Sequence, residues 1–142
     1  MRIVIAIVVA TACSWMAPAQ EPNGIRSVIA KLNQARKNSD AKALSELFIS
    51  DATLRIGTTV AASGQDAIGD ALDKRSAWSE VTAPVIGKVS VRFLSSEVAL
   101  VDAIETQYGS QIVKQSDPVT LLLKLDGNEW RIVSLWLSPP LR

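Results

Sequence analysis

The sequence predicts an α+β domain, and three observations carry that assignment. Apolar residues recur at helical spacing through the first half of the chain. They alternate at strand spacing through the second half. The change of texture falls between Trp78 and Pro84.

The elements follow in order. Residues 20–24, "QEPNG", are a loose lead-in. Ile25, Val28, Ile29 and Leu32 then keep the i, i+3, i+4, i+7 pattern of an amphipathic helix. "KNSD" closes that helix and opens the next, with Ser39 or Asp40 as the cap and Leu44, Leu47 and Phe48 turned inward. "SDATLRIG" reads as a short strand and "TTVAASG" as a loop. Ser63 with Asp66 forms a capping box for a third helix that sets Ala67, Ile68, Ala71 and Leu72 on one face. Strands are expected near 85–94, 98–108, 118–125 and 130–137, joined by hairpin turns into an antiparallel meander.

Residues 1–19 read as an export signal rather than part of the domain at 20–142. "MR" gives a positive start, "IVIAIVVATA" is an apolar run of ten, too short to span a bilayer, and "APA" offers small residues at Ala17 and Ala19 for cleavage. The alternatives are lipid attachment at Cys13 in "ATAC" and retention of the segment as a buried helix. Cleavage after Ala19 implies a periplasmic or secreted protein with no membrane attachment. It also removes Cys13, the one cysteine, and the chain has no histidine. A disulfide, a thiol nucleophile and a thiolate or histidine metal site are then excluded, and the commonest general base near neutral pH is missing. Without Arg2, basic and acidic residues balance at 14 each and no basic stripe stands out, which argues against nucleic-acid binding. No cofactor is implied.

The order of "LFISDATLRI", "SGQDAIGDAL" and "LKLDGNEWRIVSLWLS" resembles the nuclear transport factor 2-like superfamily over residues 25–138. It is most similar to the SnoaL-like and ketosteroid-isomerase-like branch. The resemblance implies a cystatin-like cone, a curved antiparallel sheet wrapped around three helices with a pocket inside. Such a fold does not by itself give a function.

One acid in the strand region draws the eye, Asp102 in "VALVDAIET". A two-residue turn at Ser95-Ser96 pairs Leu94 with Glu97. It puts Val89, Val91, Phe93, Val98, Leu100, Asp102 and Ile104 on one face. Lys88, Ser90, Arg92 and Glu105 collect on the other, so Asp102 is expected inside the cone. The last hairpin, around "DGNE", puts Val119, Leu121, Leu123, Ile132, Ser134 and Trp136 inward. Its other face, with Leu122, Val133, Leu135 and Leu137, is apolar enough to suggest a homodimer, as the resemblance also implies.

Candidate pocket residues are therefore Asp102, Trp136, Tyr108, Arg55, Trp78 and Ser134. A buried aspartate needs a partner or a raised pKa. Asp102 is either a ligand contact or a charge satisfied by Arg55, Tyr108 or backbone. Trp136 is core or a pocket wall, and Trp78 stands near the expected cavity mouth or caps the core. The resemblance also maps the isomerase tyrosine to Leu32, the base to Ile56 and the oxyanion aspartate to Thr120 or Leu121. No catalytic residue is assigned on that basis. The leading expectation is a binding domain for an apolar small molecule. An isomerase, dehydratase or cyclase using Asp102, and a structural module with a filled cone, remain the alternatives.

Overall fold

A computed structural model describes residues 23–77, 83–108 and 114–139. The expected export segment and Trp78 lie outside these residues. Three helices, α1 (Asn23–Lys37), α2 (Ala41–Glu46) and α3 (Gln65–Ala77), pack on one face of a six-stranded sheet. The strands are β1 (Phe48–Ile56), β2 (Thr59–Ser63), β3 (Val85–Phe93), β4 (Val98–Tyr108), β5 (Lys114–Asp126) and β6 (Glu129–Leu137).

The helical spacing of α1 is borne out, since Ile25, Val28, Ile29 and Leu32 are all buried. Its first turn lies against Trp130, and at Gly24 a Cβ would come within 2.9 Å of the indole. Asp40 caps α2, its carboxylate accepting from the Ala43 N–H at 3.0 Å. Helix α3 buries Ile68 and Leu72. It approaches α2 so closely that a Cβ on Gly69 would fall 2.6 Å from the Ala41 carbonyl oxygen. Ser63 ends β2 instead of capping α3, and the Gly64 carbonyl accepts from Ile68 N–H at 3.0 Å.

The strand order is β2-β1-β6-β5-β4-β3. Two features depart from the expected meander. "TTVAASG" supplies an edge strand, β2, whose residues are mostly exposed and which is held to β1 by backbone pairing. With one exposed face and few apolar side chains, it leaves no strand-like alternation to read. The sheet is also mixed, because β1 runs parallel to β6.

Two register differences decide which side chains face the helices. The β3–β4 hairpin closes with Leu94 and Ser95 N–H groups both donating to the Val98 carbonyl, and Phe93 pairs with Ala99. The turn is thus one residue longer than expected, so β4 is slipped by one and its faces are exchanged. In β6 the pairing with β5 shifts between Leu122 and Leu123, placing an extra residue, Val133, between Ile132 and Ser134. Beyond that bulge Leu135 and Leu137 are buried, and Trp136 turns to the opposite face. A second bulge, at Lys88 and Val89 in β3, holds Lys88 at φ 50°.

Candidate functional site

The slip in β4 corrects the central expectation. Asp102 is exposed on the sheet face turned away from the helices, where the Thr120 hydroxyl donates to its Oδ1 at 3.4 Å. Ala99, Val101, Ala103 and Glu105 occupy the helix-covered face instead. Trp136, expected inside, shares the outer face. Arg55 pairs beside Trp136, and Thr120 on the other side pairs with both Trp136 and Asp102. Asp102, Thr120, Trp136 and Arg55 thus form one row across four strands. Ser134 lies in the adjacent row, its hydroxyl 2.7 Å from that of Thr53. Tyr108 ends β4 and is 38% exposed. Three of the six candidates therefore share one row on the outer face, with Ser134 in the next row.

What the helix-covered face holds is a charged cluster. Glu105, 1% exposed, accepts from Arg36 Nη1 at 2.8 Å through Oε2. Its Oε1 accepts from Arg75 Nη2 at 3.1 Å and from Gln107 Nε2 at 3.0 Å. Arg36, also 1% exposed, donates from Nε to the Ser76 hydroxyl, which in turn donates to the Leu72 carbonyl. Arg75 reaches further, to the Ser138 carbonyl at 3.2 Å. The cluster ties the C-terminal end of α1, the last turn of α3, the end of β4 and the residue after β6.

Each partner is held by the others. Burial pushes the Glu105 carboxyl up, but the charges and hydrogen bonds of Arg36, then of Arg75, outweigh it and leave the group below the ordinary carboxylate range. Burial pulls Arg36 down, Glu105 offsets part of this, and the charge of Arg75 adds to the lowering. Two atoms of the cluster, Arg36 Nη2 and Arg75 Nε, are buried without a hydrogen-bond partner among the described residues.

The sequence does contain a signal for this site. Arg36 follows Ile25, Ile29 and Leu32 on the buried stripe of α1, one turn beyond Leu32. A charge continuing an apolar stripe asks for a buried partner. The expectation that Glu105 faces solvent rests on its charge, and it fails where two arginines neutralise that charge.

A separate open groove of about 650 Å³ runs between α1, α2 and the β5–β6 hairpin, floored by Val28, Ala35, Leu47 and Trp130. It contains none of the expected site residues and none of the Glu105 cluster. Among the described residues no group of three acidic, cysteine or histidine side chains is placed to hold a metal ion. No described helix is long and apolar enough to cross a membrane.

Comparison with solved structures shows the same fold repeatedly. A nuclear transport factor 2-like protein with a cystatin-like fold from Novosphingobium aromaticivorans superposes with a TM-score of 0.67 at 19% identity, over 84% of this chain and 82% of that one. A protein from Streptomyces avermitilis, proposed as a dehydratase of the nuclear transport factor 2-like family, gives 0.67 at 19% identity, over 84% and 96%. A proposed scytalone dehydratase from Novosphingobium aromaticivorans gives 0.66 at 14% identity, over 84% and 83%. These identities establish the fold alone. No protein of curated function matches the chain significantly. The SnoaL-like domain family model matches residues 25–142, which takes in the cone, its covering helices and the Glu105 cluster, and the chain belongs to that family.

Proposed function

We propose that this protein is an exported small-molecule-binding domain whose binding end is marked by the Arg36–Glu105–Arg75 cluster, not by Asp102. The observation that carries this reading is a buried charged cluster on the helix-covered face, retaining polar atoms without partners. Binding is favoured over acid–base catalysis by the state of Glu105. A carboxylate held ionised by two arginines is a poor proton donor near neutral pH and a weak base. Leu32 and Leu121 are fully buried, and Ile56 packs against the core, so these positions supply apolar surface and no proton-transfer group. The two structural neighbours proposed as dehydratases keep an enzyme as the competing reading.

The test is native mass spectrometry of protein purified from its own host without stripping. A reproducible small-molecule adduct, lost on Arg75→Gln, supports the reading. Bare protein, combined with no compound that raises the melting temperature, overturns it. The same spectrum reads the N-terminus: a start at Gln20 supports export, a lipid on Cys13 supports the alternative, and an intact Met1 removes the export reading.

A homodimer through the outer sheet face is part of the same proposal. Leu100, Ile104, Leu122 and Trp136 are half-buried there, and Leu135, expected on this face, is core. The row bearing Asp102 at one end and Arg55 at the other is self-complementary about a two-fold axis lying parallel to β5 and β6. Leu122→Glu should convert a dimer to a folded monomer in light scattering. A wild type that is monomeric at micromolar concentration removes this part.

A further inference from the structure

We infer that the interior site takes a monoanionic ligand, an organic carboxylate, docked onto Arg36 and Arg75. This rests on the binding reading above and deepens it.

Charge is the first argument. Two guanidiniums meet one carboxylate, so the cluster carries one excess positive charge among the described residues. Asp73, also on α3, forms no ion pair with either arginine. Burial lowers Arg36, but arginine is not deprotonated in proteins, so the excess is not relieved by loss of a proton. Excess charge at a buried site is expensive, and a bound anion is the direct compensation.

Hydrogen bonding is the second argument and is independent of the first. The Glu105 oxygens already accept three donors, from Arg36, Arg75 and Gln107. Arg36 Nη2 and Arg75 Nε are left with no acceptor among the described residues. Each of the two unpaired donors calls for an acceptor oxygen, and a carboxylate supplies two that form charge-assisted bonds with guanidinium groups. One excess charge favours a monoanion over a phosphate dianion. Ala103, Val119 and Leu137 are buried on the sheet face that carries Glu105, and Leu72 is buried on α3, so the body of the ligand should be apolar.

The experiment is thermal melting of the full chain at pH 7 and fixed ionic strength. The probes are benzoate and cyclohexanecarboxylate, their neutral counterparts benzyl alcohol and cyclohexylmethanol, and inorganic phosphate. The expected result is a saturable rise in melting temperature with the carboxylates, little with the neutral compounds and less with phosphate. Arg75→Gln, at the less buried arginine, should weaken the carboxylate effect by roughly tenfold to a hundredfold, the loss of one charge-assisted hydrogen bond. Glu105→Gln, which removes the competing carboxylate, should be stabilised by benzoate more than the wild type is. Saturable binding of the neutral compounds with none for the carboxylates overturns the anion inference and leaves the pocket reading standing. An unchanged benzoate affinity in a folded Arg75→Gln variant also overturns it. No saturable effect from either class overturns both readings.

Discussion

Asp102 and Glu105 stand three residues apart on one strand and have opposite fates. Odd spacing sends them to opposite faces of the sheet. Asp102 lies in solvent beside one threonine hydroxyl. Glu105 is enclosed by two helices and holds two ion pairs. The lesson is that a charge in a strand does not label its face. What labels it is whether another element delivers the opposite charge, and here the apolar stripe of α1 ends in Arg36.

Glu105→Gln removes the one negative charge between two guanidiniums, leaving only a neutral amide oxygen to accept, and should destabilise the fold by about 3–5 kcal/mol, measured by denaturant unfolding. A loss below about 1 kcal/mol would show that the cluster is solvated and the inner face misjudged.

Leu135 is the next lever, because it separates the two readings of the last strand. As a core residue paired with Leu121, it should lose about 2–5 kcal/mol on Leu135→Ala. Had it faced outward, the same change would alter dimer affinity and leave monomer stability nearly intact.

A pH titration sharpens the contrast further. The Glu105 carboxyl is depressed in the folded state, so its contribution is complete above the unfolded value of about 4.3 and is lost as pH falls through the lower folded pKa. The wild type should lose stability on that acid limb more steeply than Glu105→Gln. Parallel curves for the two would contradict the ion pairs.

The smallest effect is at Asp102. Asp102→Asn should change monomer stability by less than about 0.5 kcal/mol, as surface changes usually do. A larger loss in a monomeric protein would mean that Asp102 has a partner on the outer face beyond Thr120.

Much of the fold was legible because it rests on periodicity. The α1 stripe, a cap at Ser39 or Asp40, the helical face of Ile68 and Leu72, and the strands from Val85 onward follow from spacing and capping preference. The family resemblance added the cone. The site was less legible because it depends on single-residue register. One extra residue in the turn before Val98 moved Asp102 out and Glu105 in. One extra residue at Val133 moved Trp136 out and Leu135 in. Both outcomes turn on local backbone hydrogen bonds that alternation cannot reveal, since either face of β4 is apolar enough to be buried. The cluster also joins residues 36, 75 and 105, and only the folded topology brings them together.

The parallel pairing of β1 with β6 sets the order in which the molecule can be completed. β1 begins at Phe48 and its partner only at Glu129, with the Ile132 N–H reaching the Leu47 carbonyl at 2.8 Å. The β1–β2 hairpin can form early from local contacts, but its seat in the sheet does not exist until the last strand is in place. Closing so long a loop before any pairing is gained slows folding. During synthesis the sheet therefore stays in two unjoined parts until β6 has emerged to bridge β1 and β5.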